Sequence, residues 1–140
     1  MRMFTALFAI ALAASALATE PSRTEAPAEA KLYIISPTAG ETLKNPVVVR
    51  FGLRGMGIAP AGTVAAKTGH HHLLIDTKLP ETGLPIPNDA KHLHFGGGQT
   101  ETTLTLVPGE HTLQLLLGDH GHLAHQPPVV SEPIKLVVAE

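Results

Sequence analysis

Hydrophobic side chains in this chain recur mostly at every second position, in short runs broken by glycine, proline and small polar residues. The runs are residues 31–36 (KLYIIS), 47–53 (VVVRFGL), 69–76 (GHHHLLID), 92–95 (HLHF), 99–107, 111–117 and 132–139. A period of two is the signature of strands, in which alternate side chains share one face. Thr102, Leu104 and Leu106 alternate with Thr103, Thr105 and Val107, and Leu113, Leu115 and Leu117 all point the same way. Turn chemistry separates the runs: Pro37-Thr38-Ala39-Gly40, Asn45-Pro46, Gly96-Gly97-Gly98 and Pro108-Gly109-Glu110. Residues 55–68 and 77–91 are too rich in glycine and proline for regular structure, and a loop as long as the second is often functional. About seven short strands with no helical period among them predict an all-β fold. The expected form is an antiparallel β-sandwich of immunoglobulin-like type.

The first thirty residues break this pattern. Arg2, an apolar run from Phe4 to Leu12 and the small-x-small site Ala16-Leu17-Ala18 predict a signal peptide over residues 1–18. Residues 19–30 are rich in Pro, Ala and Glu and are expected to form a flexible leader. Residues 31–140 then make a single domain. The expected location is periplasmic or secreted, with no membrane anchor after cleavage. Cysteine is absent, which excludes a lipobox, disulfides and thiolate chemistry.

Removing residues 1–18 loses one arginine and no acid, so the formal charge moves from −2 to −3. That balance argues against nucleic acid as a partner. One tyrosine, four phenylalanines and no tryptophan offer few rings for stacking on sugars or bases. Motifs for serine, cysteine, phosphate-loop or His-Glu-x-x-His chemistry are missing.

Histidine changes the picture. All nine histidines lie between residues 70 and 125. On an extended strand His70 and His72 share a face and sit about 6.6 Å apart along the backbone, close enough to lean onto one ion. His92 and His94 repeat the spacing, and His120, His122 and His125 populate a loop. Imidazole suits copper(II) and zinc, and a site needs three or four donors at about 2 Å. The candidate ligands are therefore His70, His72, His92 and His94 from strands, with His120, His122 or His125 closing the site. Asp76 and Asp119 are candidates to orient an imidazole through its other ring nitrogen. Met56 is the only methionine beyond residue 18, which disfavours a thioether copper(I) site.

Simpler readings stand beside these. His71 shares a face with Leu73 and Ile75, and His111 with Leu113 and Leu115, so each is expected at the core edge with a hydrogen bond. Gly96-Gly97-Gly98 reads as a turn or bulge rather than an anion nest, and Gln99 and Glu101 either add polar contacts to the site or face solvent. The whole histidine set could also fasten loops through hydrogen bonds, or hold zinc with an open position as a small hydrolase.

The segments "ISPTAG" with "PVVVRFGL", and "PGEHTLQLLLGD", resemble bacterial immunoglobulin-like modules. In order, "GHHHLLID", "HLHFGGGQTE", "PGEHTLQLLLGD" and "HQPPVVSEPI" resemble the exported bacterial DUF4399 family, over roughly residues 48–138. The resemblance implies export and a compact β domain, and brings no activity with it. The residues themselves point to an exported protein that binds copper(II) or zinc for handling or buffering rather than turnover. An unidentified periplasmic protein is left open as a further partner.

Overall fold

A computed structural model describes residues 22–140. The signal-peptide expectation at 1–18, its cleavage site and residues 19–21 lie outside the described residues. Nine strands form in chain order: β1 (Lys31–Ser36), β2 (Thr42–Leu43), β3 (Val47–Arg54), β4 (Gly57–Ile58), β5 (Thr68–Ile75), β6 (His92–His94), β7 (Glu101–Leu104), β8 (Gly109–Gly118) and β9 (Ile134–Val138). Among the described residues none is helical.

The strands make an antiparallel-rich β-sandwich. One sheet is three-stranded in the order β1-β3-β7; the other runs β2-β9-β8-β5-β4, with β6 paired to β5 as well. Leu113, Leu115 and Leu117, expected to share the inward face, do so, and the other sheet meets them. Val47, Val49 and Phe51 of β3 meet Leu73 and Ile75 of β5 and Leu113, Leu115 and Leu117 of β8 in one buried cluster. Each such side chain contributes about 1.5–3 kcal/mol by leaving water.

The strand expected over 99–107 is shorter, ending at Leu104. Asn45 takes over from the ladder there, since its amide donates to the Leu106 carbonyl and its side-chain oxygen accepts the Leu106 N–H. Part of the segment expected as a leader lies against the domain. Ala26 is buried, Ala26 N–H donates to the Gln126 carbonyl, and Gln126 N–H donates to the Thr24 carbonyl. A backbone that finds ladder partners and a small apolar side chain that finds a core outweigh the chain entropy that composition alone suggested.

What positions the histidines is that β5 is buried on both faces from Gly69 to Ile75. Its inner face joins the sandwich core. Its outer face carries His70, His72 and Leu74, and Leu74 packs with Ile86, Leu116 and Ala124 in a second, smaller apolar cluster. Residues from the long loops 77–91 and 119–130 thus cover this part of the sheet. Pro85 bridges to Leu123, and Ile86 N–H donates to the His122 carbonyl, so the two loops also hold each other.

Candidate metal centre

Strand register brings the first three imidazoles together. β6 runs antiparallel to β5 with His72 opposite His94, Leu73 opposite Leu93 and Leu74 opposite His92. Period-two alternation therefore places His70, His72 and His94 on the outer face. On the other side of β5, His70 faces Gly118 of β8 and His72 faces Leu116. The fourth imidazole comes from the loop after β8, where His122 sits at φ 64° and turns back over the sheet.

His70, His72, His94 and His122 each offer one ring nitrogen, and these atoms lie within 4.8 Å of one another. The Nε2 atoms of His70 and His72 are 3.0 Å apart. Ring centroids are 4.8 Å apart for His94–His122, 5.0 Å for His70–His94 and His72–His94, and 5.2 Å for His70–His122. Nitrogens bound tetrahedrally to one zinc at about 2.0–2.1 Å would be about 3.3 Å apart. The His70–His72 pair is close to that spacing, and the whole group lies within 4.8 Å.

Space for four rings depends on two glycines. A Cβ on Gly118 would stand 2.8 Å from His72 Nε2 and 3.2 Å from His70 Nε2. A Cβ on Gly96 would stand 2.7 Å from His94 Nε2. The 2.8 Å and 2.7 Å distances are shorter than real Cβ contacts, so a side chain at either position requires His72 or His94 to move.

The electrostatics favour neutral imidazoles. Burial is the main cause that pulls His70 down to about 4, with His94 and His122 adding to it and Asp119 opposing. Burial likewise holds His72 at about 3, helped by the neighbouring His70, His94 and His122. His94 is lowered by burial and by His122. At neutral pH these rings keep the lone pairs that coordination uses. Two nitrogens of the group, His72 Nδ1 and His94 Nε2, are buried without a hydrogen-bond partner. An unsatisfied buried polar atom costs about 1–3 kcal/mol, so a group with two of them calls for a further partner.

The other candidates lie elsewhere. His92 is two residues along β6 from His94, and its Nδ1 sits 2.8 Å from Asp89 Oδ1. His120 is exposed, and its carbonyl accepts from Gly62 N–H. His125 is buried with Nε2 3.2 Å from the Thr68 carbonyl and Nδ1 3.4 Å from that of Leu117. These three are not in the four-imidazole group.

Asp76 does not orient any imidazole of the group. At φ 53° it leaves the strand, so its side chain no longer follows the alternation that would set it beside His72. It faces His111 instead: Asp76 Oδ2 is 2.7 Å from His111 Nδ1, and Oδ1 accepts the Thr112 N–H. Asp119 makes no bond to an imidazole either. Its Oδ1 accepts the N–H groups of Gly121 and Leu123, and its Oδ2 accepts from Thr24. Short loops supply backbone donors closer than any ring, and a carboxylate there is used up by them.

Of the two core-edge histidines, His111 has both ring nitrogens on acceptors, since Nε2 also lies 2.7 Å from the Val107 carbonyl. His71 packs on Phe51 with centroids 5.0 Å apart, and its Nδ1 has no hydrogen-bond partner, against expectation. The triple glycine forms a turn in which Gly98 N–H donates to the Phe95 carbonyl, and Gln99 Oε1 accepts from Gly97 N–H. Glu101 pairs with Arg50 at the surface.

A cavity of about 370 Å³ opens beside the group, lined by His72, Pro85, Ile86, Asn88, His94 and His122. Loop residues Pro85, Ile86 and Asn88 were not singled out by the sequence, since nothing in their types marks them. Among the described residues, the polar side chains lining this cavity are three histidines and Asn88.

A family model described as "Domain of unknown function (DUF4399)" matches residues 49–139. No curated protein and no solved structure matches the chain.

Proposed function

We propose that this chain, which belongs to the DUF4399 family, binds a transition metal ion through His70, His72, His94 and His122. One observation carries the reading: four ring nitrogens from two strands and a loop converge within 4.8 Å. Their lowered proton affinities and the unpartnered Nε2 of His94 support it. An all-imidazole donor set without thiolate or thioether suits copper(II) or zinc. The ligands differ in access. His70 and His72 are buried, whereas His94 and His122 are half-buried; His72, His94 and His122 line the cavity and His70 does not. An ion entering from the cavity would meet His72, His94 and His122 before His70. Access through the cavity to three of the four ligands supports handling or buffering. The apolar run and Ala16-Leu17-Ala18 support an exported protein working in the periplasm or outside the cell.

A second reading rests on the 3.0 Å approach of His70 Nε2 and His72 Nε2. One proton shared between them would make an imidazole–imidazole hydrogen bond, and the group would then fasten loops. Calorimetric titration with copper(II) and with zinc, at neutral pH and near pH 5, separates the two. Metal binding predicts one ion per chain at neutral pH and release on acidification, as protons compete for the nitrogens. Equal heats for the wild type and His72→Ala/His94→Ala would leave the hydrogen-bonded reading in place.

A further inference from the structure

His122 is the one member of the group that no strand positions. It occupies a left-handed backbone conformation, uncommon outside glycine although histidine is among the residues enriched there. The loop around it is tied by Asp119. The carboxylate is buried, and Oδ1 takes the N–H of Gly121 at 2.9 Å and of Leu123 at 3.0 Å. The backbone closes the same loop, with Asp119 N–H donating to Leu123 and His122 N–H donating to Asp119. Asp119 Oδ2 is held in turn from a remote part of the chain. Thr24 Oγ1 donates to it at 2.9 Å and Thr24 N–H at 3.2 Å.

Thr24 is itself fastened on both sides. Arg23 Nε donates to the Ala124 carbonyl at 2.9 Å, and the guanidinium also reaches the His125 carbonyl and Gln126 Oε1. Glu25 pairs in parallel with Gln126. Residues 23–26 thus lie along residues 124–126, and Thr24 plugs the loop that carries His122.

We propose that Thr24 and Asp119 are positioning residues for His122, so that the segment at residues 23–26 acts as a latch that sets the affinity of the metal site. The inference rests on the metal reading above. Neither residue touches the ion. Thr24 fixes the carboxylate, the carboxylate fixes the loop, and the loop aims the ring. Without the latch, His122 can swing towards the cavity it lines, and the site keeps the three strand imidazoles.

The test uses the full chain with copper(II) alone as probe, in the wild type, Thr24→Val, Thr24→Ser, His122→Ala and the Thr24→Val/His122→Ala double variant. Calorimetry gives Kd, and nitrogen hyperfine structure in the copper electron paramagnetic resonance spectrum counts coordinated imidazoles. Thr24→Val should raise Kd by at least about 10-fold, towards the value of His122→Ala. It should also change the four-nitrogen pattern to that of His122→Ala. Thr24→Ser, which keeps the hydroxyl, should restore both. In the double variant the two losses should not add, because each removes the same ligand. Thr24→Ala serves if the valine disturbs folding, which circular dichroism monitors. A Thr24→Val protein with the wild-type Kd and nitrogen pattern would overturn the latch alone, as would fully additive losses. A wild type that takes up no copper would overturn the metal reading and the latch with it, and the wild-type arm shows that by itself.

Discussion

His72 and His94 face each other across the β5–β6 ladder with ring centroids 5.0 Å apart, the only strand-to-strand histidine pair in direct register among the described residues. Direct cross-strand neighbours share a face at a fixed distance, so this pair is the rigid half of the site. His72→Ala or His94→Ala should each weaken copper(II) or zinc binding by more than about 100-fold, as expected when one of four donors leaves a site worth about 10–16 kcal/mol. His92→Ala should leave Kd nearly unchanged, because that ring bonds Asp89 instead. Competition titration against a chelator of known affinity measures all three, and an equal loss for His92→Ala would contradict the assignment.

Gly118 offers a test that leaves every histidine in place. Gly118→Ala puts a methyl group 2.8 Å from His72 Nε2, so the rings must part. The variant should fold with a cost of about 1–3 kcal/mol, typical of overpacking. Metal affinity should fall far more than a change of that size in fold stability explains. Chemical denaturation beside metal titration gives both numbers.

The metal-free protein should lose stability as pH falls below neutral. His70 and His71 are held at about 4 and His72 at about 3, all chiefly by burial, against about 6.5 when unfolded. The unfolded chain therefore binds more protons between about pH 6.5 and pH 3–4, and stability declines through that window. His71 gives the cleanest check, since it packs on Phe51 away from the other rings. His71→Leu should flatten the decline and raise stability near pH 5 by about 1–3 kcal/mol, from removal of a buried unpaired polar group. Urea unfolding at pH 5 and pH 8 would show a larger gain at the lower pH. An equal gain at both would mean that His71 does not titrate with unfolding.

His111 should behave in the opposite sense. The Val107 carbonyl and Asp76 raise it above its ordinary value, despite the opposing effect of burial. Stability from this pair is fully present below about pH 6.5 and fades as pH rises through the raised value. Asp76 is held below the usual carboxylate range: burial opposes this, but bonds from Thr112 and His111 outweigh it. Asp76→Asn should then cost stability at pH 6 and much less at pH 9. The carboxylate is partly exposed, so the difference should not exceed about 1 kcal/mol. Thermal melts at the two pH values would read it.

Leu115→Ala probes the sandwich itself. The side chain is completely buried between the sheets, and its loss should cost about 2–5 kcal/mol by leaving a cavity. Far-ultraviolet circular dichroism should keep its β character while the denaturation midpoint falls.

Period-two alternation was enough to determine the all-β class, the inward leucines of β8 and the shared face of His70 and His72, because side-chain direction in a strand is a local property. The ordered motifs likewise carried the family. Three things were decided only by the tertiary structure. The first is register: HLH at 92–94 offers two histidines, and only the pairing of His94 with His72 selects one. The second is the loop at 119–125, where His120, His122 and His125 are equivalent on paper. A left-handed turn tied by Asp119 chooses His122, leaves His120 exposed and buries His125 against carbonyls. The third is the fate of the carboxylates. Asp76 and Asp119 are drawn to backbone N–H groups and to His111 and Thr24, partners that no local spacing announces. Strand periodicity is written in neighbouring residues; which strands, loops and donors meet is set by contacts up to 103 residues apart.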